Sequence, residues 1–415
     1  MSGKRDVRGS EGLLLDVGVP FMQGADGLLV EAQALNGIRL WATHFGHVTV
    51  CAPILIPGDA FNATSVYVDP ADLLATGRVS LEAFPWGYHV LDHFRYRAEV
   101  RKRYEALVAQ HRYLCFTNIG SFGAWGSFGV EAAISQGRPF AIWLDLVVHE
   151  WVKSDRGASS DSIRSKIKSI LAKRATDLAV EHCSLGLFHG KTVYDAYAPF
   201  CRQPELVHDI HISPQDEISD EMISARLTAR KAGGIFRVGY LGRAHPMKAP
   251  LQWLEAIAIV AESIGPARLQ ATWLGDGPLL EPARERVREL GLESVVQFRG
   301  FVADRGEILD FLRAQDVFAF CHVTPESPRC LIEALISGLP IVGYDSSYAR
   351  ELVEGRGGAM LSAVGDPAAL AANLIGLVEK PVALERLTWK AASNRGIYND
   401  EAVFRHRSEL IHQYL

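Results

Sequence analysis

The sequence is poor in the patterns that announce several large functional classes. Its six cysteines include no C-x-x-C pair and no Cys/His spacing of the zinc-module kind, so neither a disulfide framework nor a structural zinc site is expected. Most lie in apolar strand-like runs, where cysteine packs as a small hydrophobe, and they read as reduced and buried. No uninterrupted apolar run approaches the ~18 residues of a membrane-spanning helix. The opening "MSGKRDVRGS" carries charge but not the apolar core and small-residue cleavage pattern of a secretory signal. A basic excess is missing too: 43 Lys and Arg stand against 48 Asp and Glu, a net charge of -5 with no general pull toward nucleic acid. There is no G-x-G-x-x-G. The stretch "GLFHGKT" (186–192) has three residues rather than four between Gly186 and Gly190, too short a loop to wrap a phosphate as a P-loop does. No metal-ligand cluster and no pair of aspartates in a suitable loop appears, so no metal is expected. These absences predict a cytoplasmic protein with a frayed N-terminus.

What is present is an ordinary globular composition, 48% hydrophobic and 22% charged, over 415 residues. That length predicts two domains rather than one core. Apolar runs of strand length alternate with helical patterns: "LLLDVGVP", "VTVCAPIL", "YLCFTNIG", "PFAIWLD" and "LGLFHG", then "FRVGYLG", "LQATWLG", "VVQFRGFV", "DVFAFCHV", "LPIVGYD" and "GAMLSAV". Short continuous apolar strands between amphipathic helices are parallel strands covered on both faces. The expected fold class is therefore α/β, doubly wound, twice over. The polar stretch from about Ser213 to Gly234 reads as the connector. It separates an N-terminal Rossmann-like domain (11–215) from a C-terminal one (235–395), with 396–415 as a last helix packing back toward the first. Two such domains facing each other would leave a cleft at the carboxyl ends of their strands.

One stretch, "CHVTPESPRCLIEALISGLPIVGYD" (321–345), is built like a strand-to-helix turn at such a cleft. Leu331, Ile332, Leu335 and Ile336 supply a helical apolar face from about Pro328 to Ser337. Ser327 is placed as the N-cap and Pro328 as the first helical residue, where a missing N–H costs nothing. Gly338 and Pro340 end the helix. The leading N–H groups of Arg329, Cys330 and Leu331 suit an anion such as a phosphate. Glu333 could accept hydrogen bonds from vicinal ribose hydroxyls, and Glu326 from hydroxyls on the other side. The alternative is that both carboxylates only complement a helix dipole. A second element favours the ligand: "VGYLGRAHPMKAP" ends its strand with Gly242-Arg243 and reaches Lys248 five residues later, two cations suited to a diphosphate at the same crevice.

With "ATWLGDGP", "VQFRGFV" and "DVFAF" lying in order between these two stretches, the region from about Phe236 to Asp366 resembles the donor-binding domain of glycosyltransferase family 4, retaining nucleotide-sugar transferases of the GT-B fold. The first half is similar only in general strand-helix order and in where its glycines fall. The resemblance implies that Arg243 and Lys248 bind the donor diphosphate, Glu333 the ribose, and Ser327 to Cys330 the phosphate through their backbone. It implies that Glu326 holds the transferred sugar and that Gly300-Phe301-Val302 lies near the base. It implies no cofactor beyond the nucleoside diphosphate sugar itself, and no metal. One departure stands out: the family usually has seven residues between its paired glutamates, whereas Glu326 and Glu333 have six, with Pro325 at the aligned position.

In the first half, Gly24 and Gly27 sit in "GVPFMQGADGLLVEAQAL" between a strand and a helix, where the fold brings a loop over the donor phosphates. The resemblance implies a histidine near the end of the strand "PFAIWLD", close to the sugar, which makes His149 the expected residue there, with Asp145 as its competitor. The segments 94–110 and 162–178 are basic and helical, the second with Ile163, Ile167, Ile170, Leu171 and Leu178 on one side. They read either as solvated faces over packed helices or as contacts with an anionic membrane at its inner face or with a phosphorylated lipid acceptor.

The function expected is transfer of a sugar from a nucleoside diphosphate sugar to the hydroxyl of a saccharide, glycolipid or small molecule, as in bacterial surface polysaccharide synthesis. A sugar-nucleotide epimerase or phosphorylase on the same frame, and a noncatalytic nucleotide-sugar-binding subunit, are the rivals.

Overall fold

The computed structural model describes residues 12–56, 66–147, 163–231, 234–324 and 326–415. The chain divides into two compact units: unit 1 comprises Met1–His211 and Val403–Leu415, unit 2 Ile212–Ala402.

Unit 1 contains β1 (Gly12–Asp16), β2 (Phe21–Gln23), β3 (Leu28–Glu31), β4 (His47–Leu55), β5 (Tyr67–Val68), β6 (Val79–Phe84), β7 (Tyr113–Phe116), β8 (Ala141–Leu144), β9 (Leu185–His189) and β10 (Pro204–Val207). Strands β6, β4, β1, β7, β8, β9 and β10 lie side by side and all parallel, so the order reverses between β1 and β7. The short strands β2, β3 and β5 extend the sheet beyond the end of β4, with β2 and β3 antiparallel. The inner strands are buried along their whole length, which is why they read as continuous apolar runs. At the exit of β1, buried Asp16 accepts from the Tyr104 hydroxyl at 2.6 Å and from the Asn118 N–H at 2.9 Å, and burial raises its pKa to about 7.

Helices Val90–Gln110, Gly126–Ser135 and Ile163–His182 pack in sequence along one face of this sheet. The last of these is turned opposite to what its aliphatic residues suggest. Its core-facing side is the small set Ser169, Ala172, Thr176, Ala179 and Val180, whereas Ile167, Ile170, Leu171 and Leu178 are exposed. The final helix, Asp400–Tyr414, belongs to unit 1 from Val403 onward and seats Phe404 edge-on against Trp41.

Unit 2 is a six-stranded parallel sheet of β11 (Phe236–Leu241), β12 (Leu269–Leu274), β13 (Val296–Gly300), β14 (Val317–Phe320), β15 (Ile341–Tyr344) and β16 (Ala359–Ser362). Its order is β13-β12-β11-β14-β15-β16, with the reversal between β11 and β14. The connector expected at Ser213 to Gly234 is more than a linker: it forms the helix Asp220–Lys231, whose Ile223 and Leu227 join Ile218 and Ala392 in a buried cluster of unit 2. Arg226 and Arg313 of this unit donate to the Gly338 and Asp216 carbonyls, so the segment is fixed by polar bonds as well.

Candidate donor site in unit 2

Ligands of doubly wound sheets sit at the carboxyl edge where strand order reverses, because there two loops diverge and leave a crevice. In unit 2 the loops leaving β11 and β14 flank that point, and they are joined: the Val323 N–H donates to the Met247 carbonyl at 3.0 Å. The β11 loop is held tightly against the β12 loop as well. The Ala244 N–H bonds the Asp276 carbonyl and the Leu279 N–H the Ala244 carbonyl. Only glycine fits at this approach: a Cβ on Gly275 would lie 2.1 Å from the Gly242 oxygen, and one on Gly277 2.6 Å from the Ala244 oxygen. Those contacts explain the spacing of "LGDG" without invoking a ligand.

Lys248 and Glu326 meet across the reversal point. Lys248 Nζ donates to Glu326 Oε1 at 2.5 Å, and both side chains are largely buried. Behind Glu326 stands His322, with Nδ1 3.6 Å from the same oxygen and Nε2 2.9 Å from the Tyr240 hydroxyl. Burial, with Lys248 adding to it, lowers the His322 pKa well below its ordinary value, so the ring is neutral. Burial likewise keeps the Tyr240 hydroxyl protonated. With the ring proton on Nδ1, on the side of Glu326, Nε2 accepts from the Tyr240 hydroxyl. Lys248 is followed by Ala249 at φ 43° and ψ 58°, a left-handed conformation that costs a residue with a Cβ about 1–2 kcal/mol. The strain lies beside the cation that reaches Glu326.

Glu333 is held differently. Arg305, the first residue of helix Arg305–Arg313, donates from Nη1 to Glu333 Oε1 at 3.0 Å. The ion pair connects the chain leaving β13 to the helix Arg329–Ile336 that follows β14. Leu331, Ile332, Leu335 and Ile336 of that helix are buried, as the apolar pattern predicts.

The capping expectation needs correction. Helix Arg329–Ile336 has Pro328, not Ser327, at its N-cap, in an extended conformation with ψ 121° and with no side-chain cap bond. The proline thus ends the incoming segment rather than starting the helix, and Ser327 lies one residue further out, buried. The Leu331 N–H bonds the Pro328 carbonyl at 3.2 Å, so it is not among the donors left for an anion. Cys330, only half-buried by residue, has its thiol pushed up to about 12 by burial of the sulfur and is no nucleophile at neutral pH.

The remaining expected positions divide. Gly242, at the exit of β11, bonds the Leu274 carbonyl through its N–H. Arg243 is exposed, and its guanidinium forms no ion pair with any described residue. Arg329 is exposed at the helix start. Phe301, 49% exposed, follows β13 four residues before Arg305. Gly24 does not lie between a strand and a helix. Its N–H bonds the Gly27 carbonyl in the turn joining antiparallel β2 and β3, and the helix begins only at Ala32. Asp145 is exposed after β8. His149 lies outside the described residues. Cysteine burial is incomplete: Cys201 and Cys330 are half-buried and the other four fully so. Among the described residues no group of three or more His, Cys, Asp and Glu could hold a metal ion, and no single helix is long and apolar enough to cross a membrane.

Residues 235–380 match the family model described as Glycosyl transferases group 1. Phosphatidyl-myo-inositol mannosyltransferase of Mycobacterium leprae (strain TN) is 32% identical over 166 residues, 38% of this chain and 42% of that one. Mannosylfructose-phosphate synthase of Agrobacterium fabrum is 33% identical over 108 residues, 25% of this chain and 24% of that one. The matched stretches thus span less than half of either relative. Over its whole length the chain is similar in structure to HepE of Anabaena, crystallised with UDP, at a TM-score of 0.66, 19% identity, and 98% and 100% coverage of the two chains. Sucrose-phosphate synthase of Thermosynechococcus elongatus gives a TM-score of 0.66 at 15% identity, with 97% and 98% covered. The fold is the two-domain α/β architecture of the GT-B glycosyltransferases.

Proposed function

We propose that this chain is a retaining glycosyltransferase of family 4, moving a sugar from a nucleoside diphosphate sugar to an acceptor hydroxyl in the synthesis of a bacterial surface polysaccharide or glycoconjugate. The observation that carries the reading is the Lys248–Glu326 pair at the strand-order reversal of unit 2, 2.5 Å from Nζ to Oε1, with exposed Arg243 on the same loop. A diphosphate needs two cations, and a sugar beyond it needs a hydroxyl acceptor such as Glu326. The similarity to a phosphatidyl-myo-inositol mannosyltransferase and to a mannosylfructose-phosphate synthase, and the UDP in the HepE crystals, support a nucleotide-sugar donor.

In this reaction the bond between the anomeric carbon and the diphosphate oxygen breaks, and the acceptor oxygen bonds the same face of that carbon. The acceptor proton passes to the departing phosphate. Arg243, Lys248 and the start of helix Arg329–Ile336 stabilise the charge left on the diphosphate, so the proposed chemistry asks for no metal and no carboxylate nucleophile. Ser327 to Cys330 offer backbone contacts to the phosphate, Glu333 holds the ribose, and Gly24 and either His149 or Asp145 remain candidates from unit 1. The working place proposed is the cytoplasm, with peripheral contact at the inner face of the membrane. The outward aliphatic side of helix Ile163–His182, flanked by Lys166, Lys173 and Arg174, supports that contact.

Calorimetric titration with UDP, GDP, ADP and dTDP, each with and without EDTA, tests the reading in wild type and Arg243→Ala. Metal-independent binding of one diphosphate, weakened at least tenfold in the variant, is expected. If none of the four binds, the transferase reading is withdrawn. Turnover with the matching sugar donor separates transfer to an acceptor from isomerisation or from binding alone.

A further inference from the structure

We propose that Arg305 is a nucleoside-recognition residue, which fixes Glu333 through Nη1 while its other guanidinium donors bond oxygen acceptors of the donor's ribose or base. The inference rests on the reading of unit 2 as a nucleoside diphosphate site. A guanidinium carries five N–H donors and no acceptor. In Arg305 one of them goes to Glu333 Oε1 at 3.0 Å. Nε and Nη2 are shielded from solvent and have no hydrogen-bond partner among the described residues. Buried donors of a charged group are rarely left unpaired in a folded protein, because each has given up its water without replacement. The side chain as a whole is 31% exposed, but that exposure lies on atoms other than Nε and Nη2, so a bound nucleoside meets these two donors only after the guanidinium or its cover shifts.

Position decides which part of the donor it meets. Arg243 and Lys248 occupy the β11 loop, the diphosphate end of the proposed site. Arg305 begins a helix on the other side, after β13 at the sheet edge, four residues beyond exposed Phe301, and its partner is the carboxylate placed on the ribose. A planar cation tied to one carboxylate also has its remaining donors fixed in direction, which a lysine would not. The acceptors it suits are hydroxyl oxygens of the ribose or carbonyl oxygens of the base.

The test compares wild type, Arg305→Met and Arg305→Lys by calorimetry with whichever of UDP, GDP, ADP and dTDP binds, and with inorganic pyrophosphate as a competitor. Thermal midpoints establish that each variant is folded. Both variants are expected to bind the nucleoside diphosphate at least tenfold more weakly, with pyrophosphate affinity unchanged. The lysine variant matters because it keeps a cation beside Glu333 and removes only the forked donors. Repeating the titration with analogues lacking the 2′- or the 3′-hydroxyl assigns the contact: a ribose contact shrinks the difference between wild type and variants with one of them, and a base contact leaves it intact with both. Wild-type affinity in both variants, or an equal loss of pyrophosphate binding, overturns the assignment while the site itself stands. Failure of wild type to bind any nucleoside diphosphate removes both the site and the role of Arg305.

Discussion

His322 sits where a charged histidine would be unwelcome, buried and beside Lys248, and this gives it a measurable effect on stability. Its folded pKa lies well below the ordinary 6.5, so below about pH 6.5 the unfolded chain takes up a proton that the folded one does not. The folded state therefore loses stability as pH falls from that point, by up to about 1.4 kcal/mol per pH unit. Asp16 acts with the opposite sign: its folded pKa of about 7 exceeds the ordinary 3.8, so its contribution favours folding at low pH and is lost as pH rises through 7. A comparison with His322→Asn isolates the histidine from such terms. The variant is expected to be less stable than wild type at pH 8, where it lacks the Tyr240 bond, and the gap should narrow as pH falls from 6.5 to 5. Denaturant titrations at the two pH values check this; a gap independent of pH would show that His322 titrates normally. Lys248 and Glu326 were legible in the sequence because each stands in a short loop at the end of an apolar strand. Arg305, His322 and Tyr240 were not. Arg305 lies 28 positions before Glu333, at a helix start whose only visible signal is the Asp304 cap, and Tyr240 and His322 are hidden in strand-like runs where their polar atoms pair with each other.

At the scale of elements, each of the eleven quoted apolar runs contains a strand, because inner parallel strands are apolar on both faces. The elements that went unread are the peripheral ones. β6, "VSLEAF", carries a serine and a glutamate on a half-exposed edge, and β2, β3 and β5 are two to four residues long. Helix Ile163–His182 shows the limit of pattern reading most clearly. Periodicity finds its aliphatic stripe but cannot say which side faces the core, and small Ser, Ala and Thr residues won that side by allowing close packing. Residues 163–174 contain five Lys or Arg and no acidic residue, so the exposed stripe is embedded in positive charge. The triple variant Ile167→Gln, Ile170→Gln, Leu171→Gln is expected to sediment with anionic vesicles at least about tenfold less than wild type, with an unchanged thermal midpoint. Equal sedimentation of the two proteins would return the helix to an ordinary solvated face.

For the whole molecule, the path of the chain matters more than any one contact. It builds most of unit 1, then all of unit 2, and completes unit 1 with Val403–Leu415. The returning helix is fastened by Arg407, which is fully buried, bonds Asp209 at 3.3 Å and lies over the rings of Phe404 and Trp143 at 4.1 and 4.2 Å. Arg407→Met keeps much of the volume but leaves Asp209 without this cation, and a loss of about 3 kcal/mol in unit 1 is expected. Tryptophan fluorescence during urea unfolding reports it, since Trp41 and Trp143 both pack against the guanidinium. The same path sets an order during synthesis. Once residue 402 has been added, every residue of unit 2 has been synthesised, while the segment that seats Phe404 against Trp41 has yet to be made. Unit 1 must then wait, with the ring of Trp41 uncovered, for Val403–Leu415. Translation that stalls late would leave a finished second unit tethered to an unfinished first, a species for chaperones or proteases to recognise.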